Sequence, residues 1–187
     1  MEEDLKKAVD VLRNGGVILY PTDTIWGLGC DATNEKAAAR IYAIKKRSDS
    51  KSMLVLMENV NLLERYVEEV PAIAYDLIEV TDKPMTIIYP GARNLAKNLI
   101  AEDGTIGIRI TSENFTRQLI QRFRKPVVST SANISGKPSP ATFTDISEEI
   151  KAAADYVVNY RQDDLTPTSP SSIIKLGVGG QIEILRK

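Results

Sequence analysis

The sequence predicts an α/β or α+β sandwich built around one mixed sheet. Three observations carry that expectation. Short apolar runs interleave irregularly with amphipathic helical segments, glycine and proline punctuate the joins, and 187 residues with 43% hydrophobic content suffice to bury one core, which predicts a single domain over residues 1–187.

Taken in order, Glu2 to Arg13 places Leu5, Ala8, Val9 and Leu12 at helical spacing, and Asn14-Gly15-Gly16 ends that helix as a glycine cap. Val17 to Tyr20 reads as a buried strand running into Pro21. A second helix spans Glu35 to Lys45, with Thr33 or Asn34 as its N-cap. Met53 to Met57 suits a strand, whereas Asn61 to Tyr66 and Pro71 to Val80 read as helical. Thr86 to Tyr89 and Thr105 to Ile110 are strands, Phe115 to Phe123 an amphipathic helix, and Pro126 to Thr130 a further strand. Glu148 to Ala154 gives the last helix and Tyr156 to Val158 a short strand. Ser172 to Leu176 and Ile182 to Leu185 form a closing hairpin around Gly177-Val-Gly-Gly180. Arg161 to Pro170, rich in Asp, Thr, Pro and Ser, is a loop with the length and composition of a lid.

Composition excludes several chemistries. There is no histidine, so the commonest general base, the commonest zinc ligand and every imidazole-dependent triad are absent. The one cysteine, Cys30, permits no internal disulfide and fits a reducing compartment. The start is charged, and no stretch approaches the roughly 18 apolar residues of a membrane span, so the expected location is the cytoplasm. A net charge of −1 gives no global attraction to nucleic acid.

Four segments present polar side chains on one face when extended. Pro21-Thr-Asp-Thr-Ile-Trp-Gly-Leu-Gly29 aligns Thr22, Thr24 and Trp26. Thr105-Ile-Gly-Ile-Arg109 aligns Thr105, Gly107 and Arg109. Lys125-Pro-Val-Val-Ser-Thr-Ser-Ala-Asn133 aligns Ser129, Ser131 and Asn133. In the fourth, Lys45-Lys-Arg-Ser-Asp-Ser-Lys51, the cations Lys45 and Arg47 converge on one ligand only if the chain leaves the helix near Lys45, because on a helix they would stand about 200° apart. Each segment also has a plainer reading. The basic cluster can complement a helix C-terminus, Ser129 to Asn133 can form a cap or turn, Pro21 to Thr24 can be an ordinary turn, and Arg109 can pair with a carboxylate at the surface. Together they form a binding floor suited to a polyanion such as ATP.

At these residues the sequence resembles the YrdC/TsaC family of threonylcarbamoyl-AMP synthases, from about Leu5 to Leu185. The motifs are Gly15-Gly16, Tyr20-Pro-Thr-Asp-Thr24, Gly27-Leu-Gly29, the Lys-x-Arg pair Lys45 and Arg47, and Ser129-Thr-Ser-Ala-Asn133 continuing to Gly136-Lys-Pro-Ser139. The resemblance implies a YrdC-like α/β sandwich with a twisted mixed sheet and a large concave basic cavity, in the short form without an extra C-terminal domain. It implies synthesis of threonylcarbamoyl-AMP and pyrophosphate from L-threonine, bicarbonate or CO2, and ATP, for the adenosine next to the tRNA anticodon. It also implies Mg2+ held through ATP phosphates and a tRNA threonylcarbamoyl transferase that receives the product. By position, Lys45 and Arg47 resemble catalytic cations, with Lys51 beside them at the triphosphate. Thr24, Arg109 and Ser129 resemble the threonine and carbamate pocket, and Thr105, Ser131, Asn133, Ser139 and Ser172 resemble nucleotide contacts. The chain departs from the pattern at Asp82-Lys-Pro-Met-Thr86 and at Trp26, where relatives carry a Pro-Gly-Pro run before Leu-Thr, and Tyr or Phe. Other readings are a double-stranded RNA or tRNA binding module without catalysis, and a related enzyme of carbamoyl phosphate or a carbamoyl adenylate.

Overall fold

A computed structural model describes residues 1–47 and 53–187. Its helices are α1 (Glu2–Arg13), α2 (Glu35–Lys45), α3 (Ala72–Val80), α4 (Asn114–Phe123) and α5 (Glu148–Ala153). Its strands are β1 (Ile18–Tyr20), β2 (Gly27–Gly29), β3 (Leu54–Met57), β4 (Met85–Tyr89), β5 (Ile106–Ile110), β6 (Val127–Ser131), β7 (Tyr156–Val157), β8 (Ser172–Leu176) and β9 (Ile182–Arg186). All nine strands join one twisted mixed sheet in the order β7-β1-β2-β6-β3-β5-β4-β8-β9. Three pairs are parallel (β1 with β7, β3 with β5, β4 with β8) and the rest antiparallel.

The helices form where local chemistry favours them. α1 carries Glu2, Glu3 and Asp4 in its first turn, complementing the helix dipole, and ends on Gly15 at a φ of 74°. In α2 the Asn34 side chain accepts from the backbone N–H groups of Lys36 and Ala37 at 3.0 and 3.1 Å. α1 packs on α4, and α4 on β3, so Leu5, Leu12, Phe115, Leu119 and Val55 belong to one buried cluster that continues to Leu176.

Three differences from the sequence reading have physical causes. The segment expected as a helix over 61–66 is a 3-10 helix at Val60–Arg65, a form used in short pieces, started by the Asn59 side chain accepting from Asn61 N–H. β2 was not foreseen, since two of its three residues are glycine and carry no strand preference. It forms because β1 and β6 supply partners on both sides. The segment Lys45 to Arg47 is not extended. α2 continues through Lys45, and the chain then turns at Lys46.

Glycine at position 29 answers a packing constraint. A Cβ there would stand 2.5 Å from Cε1 of Tyr20 and 2.8 Å from the Val128 carbonyl oxygen. We expect Gly29→Ala to lower stability by about 1–3 kcal/mol, the usual range for an overpacked core, read from the denaturant midpoint at unchanged slope. An unshifted midpoint would show that β1 and β6 can part without cost.

Candidate active site

The register of the central strands places one set of side chains on a single face. Gly27 pairs with Ser131, Leu54 with Ser129, and Ile88 with Gly107. Residues directly opposite one another share a face, and the set alternates along each strand to include Arg109 and Thr86. This face is the floor of a cavity of about 320 Å³, at the lower end of the range for small-molecule pockets. Among the described residues, its lining contains three arginines (Arg47, Arg109 and Arg186) and no carboxylate.

Arg109 on β5 is 3% exposed. A buried guanidinium is tolerated only with compensating charge and hydrogen bonds. The loop after β1 supplies both. Asp23 Oδ1 lies 2.9 Å from Arg109 Nη2 with its side chain 5% exposed, and Nη2 donates to Thr24 Oγ1 at 3.2 Å. Thr24 Oγ1 is 3.1 Å from Thr22 Oγ1, which donates to the Ile25 carbonyl at 2.8 Å. The ion pair is close but off the hydrogen-bond direction, so among the described residues Asp23 Oδ1 lacks an aligned donor and Arg109 Nε lacks an acceptor. A buried donor on a cavity-lining cation, unmatched by the protein, suits an anionic ligand group.

The Lys45 and Arg47 pair divides rather than converging. Lys46 is left-handed (φ 51°, ψ 42°), with Arg47 N–H donating to the Tyr42 carbonyl and Lys46 N–H to that of Ala43, the two bonds of a Schellman ending. Arg47 lines the cavity. Lys45, on the last turn of α2, is 1% exposed and outside the cavity lining. Its Nζ donates to the carbonyls of Ser131 and Asn133 and to Asn133 Oδ1. Burial, reinforced by the nearby Arg47 charge, pushes the Lys45 ammonium pKa down to about 8. Lys51 lies outside the described residues.

Residues 10–187 match the model of the Sua5/YciO/YrdC family, described as telomere recombination. The chain belongs to this family. A threonylcarbamoyl-AMP synthase of Pseudoalteromonas translucida is 33% identical over 97% of the chain and 97% of its own length. One of Vibrio cholerae is 34% identical over 79% of the chain and 80% of its own length. Among solved structures, P. abyssi Sua5 complexed with L-threonine aligns with a TM-score of 0.84 at 25% identity, over 94% of this chain and 52% of that one. The present chain thus spans about half of the Sua5 chain.

The family motifs distribute unevenly over the site. Thr24, Thr105, Arg109, Ser129, Ser131 and Ser139 line the cavity. The Thr105 hydroxyl donates to Asp103 Oδ1 at 2.6 Å, which, with Lys175, holds the Asp103 carboxyl at about 2. Asn133 does not line the cavity. Its Oδ1 faces Lys45 and its Nδ2 donates to the Lys137 carbonyl. Ser172 is also outside the lining, because strand alternation turns its neighbours Ser171 and Ile173 inward instead. Ser171 Oγ is 2.8 Å from Thr86 Oγ1, the last residue of the departing Asp82-to-Thr86 segment. Trp26, the other departure, lines the cavity and packs on Phe143 at 4.8 Å between ring centroids.

Arg186 was missed in the sequence. A register shift between β8 and β9 pairs Arg186 with Ile173, whereas Ile174 pairs with Ile184. Without the bulge, Leu185 would stand opposite Ile173, so one extra residue brings the cation to the cavity rim. Arg186 Nε donates to the Ser171 carbonyl at 2.7 Å. Only its i, i+2, i+4 relation to Ile182 and Ile184 was visible beforehand.

Lys45→Met should test the structural duty of the buried ammonium. It leaves three oxygens without their donor, and we expect a loss of about 1–3 kcal/mol at pH 7. The Lys45 pKa is lower folded than unfolded, so the unfolded chain binds more protons between about pH 8 and the ordinary lysine value. Wild-type stability relative to Lys45→Met should therefore rise across that window, measured as paired denaturant midpoints. A difference independent of pH would contradict the depressed pKa.

Proposed function

We propose that this chain is an L-threonylcarbamoyladenylate synthase, joining L-threonine, bicarbonate or CO2, and ATP into threonylcarbamoyl-AMP with release of pyrophosphate. The observation that carries the reading is the convergence of Arg47, Arg109 and Arg186 on one hydroxyl-lined cavity with no carboxylate among its described lining residues. Threonylcarbamoyl-AMP synthases among its relatives and the threonine complex of P. abyssi Sua5 support the choice of substrates.

The chemistry crowds anions together. The threonine amine adds to CO2 with loss of a proton, or to bicarbonate with loss of water, to give a carbamate, whose oxygen attacks the ATP α-phosphate. The bond to the β-phosphate bridging oxygen breaks, and pyrophosphate leaves with the electron pair. Arg109, with Nη2 fixed by Thr24 and Asp23 and Nε unmatched, would receive the threonine carboxylate next to Thr24 and Ser129. Arg47 would offset the charge that builds on the carbamate and triphosphate, and Ser131, Ser139 and Thr105 would contact the nucleotide. Holding amine, carbon and phosphorus in line can remove roughly 7–11 kcal/mol of barrier without any covalent enzyme intermediate. Asp23 is committed to Arg109, so proton transfer is assigned to the substrates themselves.

Lys45 enters this reading through its hydrogen bonds, fixing the Ser131 to Asn133 backbone beside the nucleotide subsite. Mg2+ would come with the ATP phosphates. Among the described residues no three His, Cys, Asp or Glu side chains gather. The product would pass to a transferase that modifies tRNA, in the cytoplasm. Among the described residues no helix is long and apolar enough to cross a membrane.

Incubation with ATP, L-threonine, bicarbonate and Mg2+ should yield the acyl adenylate by mass, with pyrophosphate release that requires threonine. Carbamoyl phosphate should not replace bicarbonate and threonine, and product should form without RNA. Arg47→Ala should lower turnover by about 100-fold or more at unchanged thermal stability. Ser131→Ala should weaken ATP more than threonine in separate titrations, and the opposite order would reverse the assigned subsites.

A further inference from the structure

The loop 21–25 holds Arg109 in place, yet its own main chain is held from behind by residues the reaction does not use. Thr116 Oγ1 on α4 donates to the Pro21 carbonyl at 3.0 Å. Arg161 Nη1 donates to the Thr22 carbonyl at 3.3 Å. The same guanidinium is gripped by Asp164 Oδ2, at 3.2 Å from Nε and 2.9 Å from Nη2, and lies 3.8 Å from Glu113 Oε1. The other Glu113 oxygen accepts from Thr116 N–H at 2.7 Å and lies 2.9 Å from the Thr116 hydroxyl oxygen. One connected network therefore ties the segment after β7 and the first turn of α4 to consecutive carbonyls of the loop that carries Asp23 and Thr24.

The backbone at Arg161 is itself unusual. Its φ is 65°, a left-handed conformation that few non-glycine residues adopt and that here lies outside any helix end. Here the turn is closed by Asp164 N–H donating to the Arg161 carbonyl and by Gln162 Nε2 donating to the Val158 carbonyl. The planar fork meets Asp164 and the Thr22 carbonyl together. A lysine would supply the charge but not the fork that reaches Asp164 and Thr22 together.

We infer that Arg161 is a positioning residue for the amino-acid subsite: it fixes the Thr22 carbonyl, and through it the Asp23 and Thr24 contacts that orient Arg109. This rests on the reading of the Thr24 and Arg109 corner as the threonine pocket. Among the described residues Arg161 binds Thr22, Asp164 and Glu113, which places its influence on the threonine side of the cavity.

The protein provides its own reporter, because Trp26, the one tryptophan, directly follows this loop. Wild type, Arg161→Met and Arg161→Lys would be compared by far-ultraviolet circular dichroism, Trp26 emission and initial rates with each substrate varied. We expect Arg161→Met to keep its helical signal, shift Trp26 emission and raise KM for L-threonine by about tenfold, with KM for ATP within about twofold of wild type. Arg161→Lys should restore part of both changes. Unchanged emission together with an unchanged threonine KM in Arg161→Met overturns the inference, as does equal weakening of both substrates. If wild type forms no threonine-dependent pyrophosphate, the functional reading fails separately. Trp26 emission then decides the positioning role alone: a shift in Arg161→Met supports it and an unshifted spectrum overturns it.

Discussion

A guanidinium buried on the floor of the sheet is the constraint around which this site is arranged. Arg109 sits on β5 with almost no exposure, where the desolvation of a cation costs several kcal/mol unless the protein returns it in charge and hydrogen bonds. The return comes from one short loop, whose Asp23 and Thr24 both meet Nη2. That loop must therefore fold back across the sheet instead of continuing β1. The glycines of β2, at 27 and 29, let that strand lie between β1 and β6, where any side chain at position 29 would strike Tyr20.

The same logic separates two neighbouring cations. Lys45 and Arg47 are two residues apart, yet the left-handed turn at Lys46 sends them to different tasks. Lys45 is spent on backbone carbonyls at and just past the end of β6 and joins α2 to the Ser131 to Asn133 segment, while Arg47 remains at the cavity. A lysine suits the first task, since an ammonium can donate in three directions to oxygens that are not coplanar. Arginines line the cavity itself, and their planar donors suit carboxylate or phosphate groups. Without histidine, positive charge is what this cavity offers a ligand.

Much of the architecture was legible because local signals agreed with the global fold. The α1 and α2 spans follow directly from helical apolar spacing, the Asn34 cap and the glycine stop. Strands β3 to β6 and the β8–β9 hairpin were visible as short apolar runs. β2 escaped because Gly-Leu-Gly has no intrinsic strand preference and exists as a strand only through its two partners. Of the residues expected at the site, Thr24, Arg47, Thr105, Arg109, Ser129, Ser131 and Ser139 line the cavity, while Lys45, Asn133 and Ser172 do not.

What the sequence determined by itself was therefore the order of elements, the absence of imidazole chemistry and the family motifs, all of which are encoded over a few neighbouring residues. Tertiary structure alone decided which face each strand residue turns toward the cavity and which cations reach it. Those outcomes depend on register, and register is set by partners far away in the chain. One bulge places Arg186, not Leu185, opposite Ile173, and one left-handed residue parts Lys45 from Arg47. Because side chains alternate at every position along a strand, a shift of one residue exchanges a charged lining for an apolar one, and no local pattern can report it.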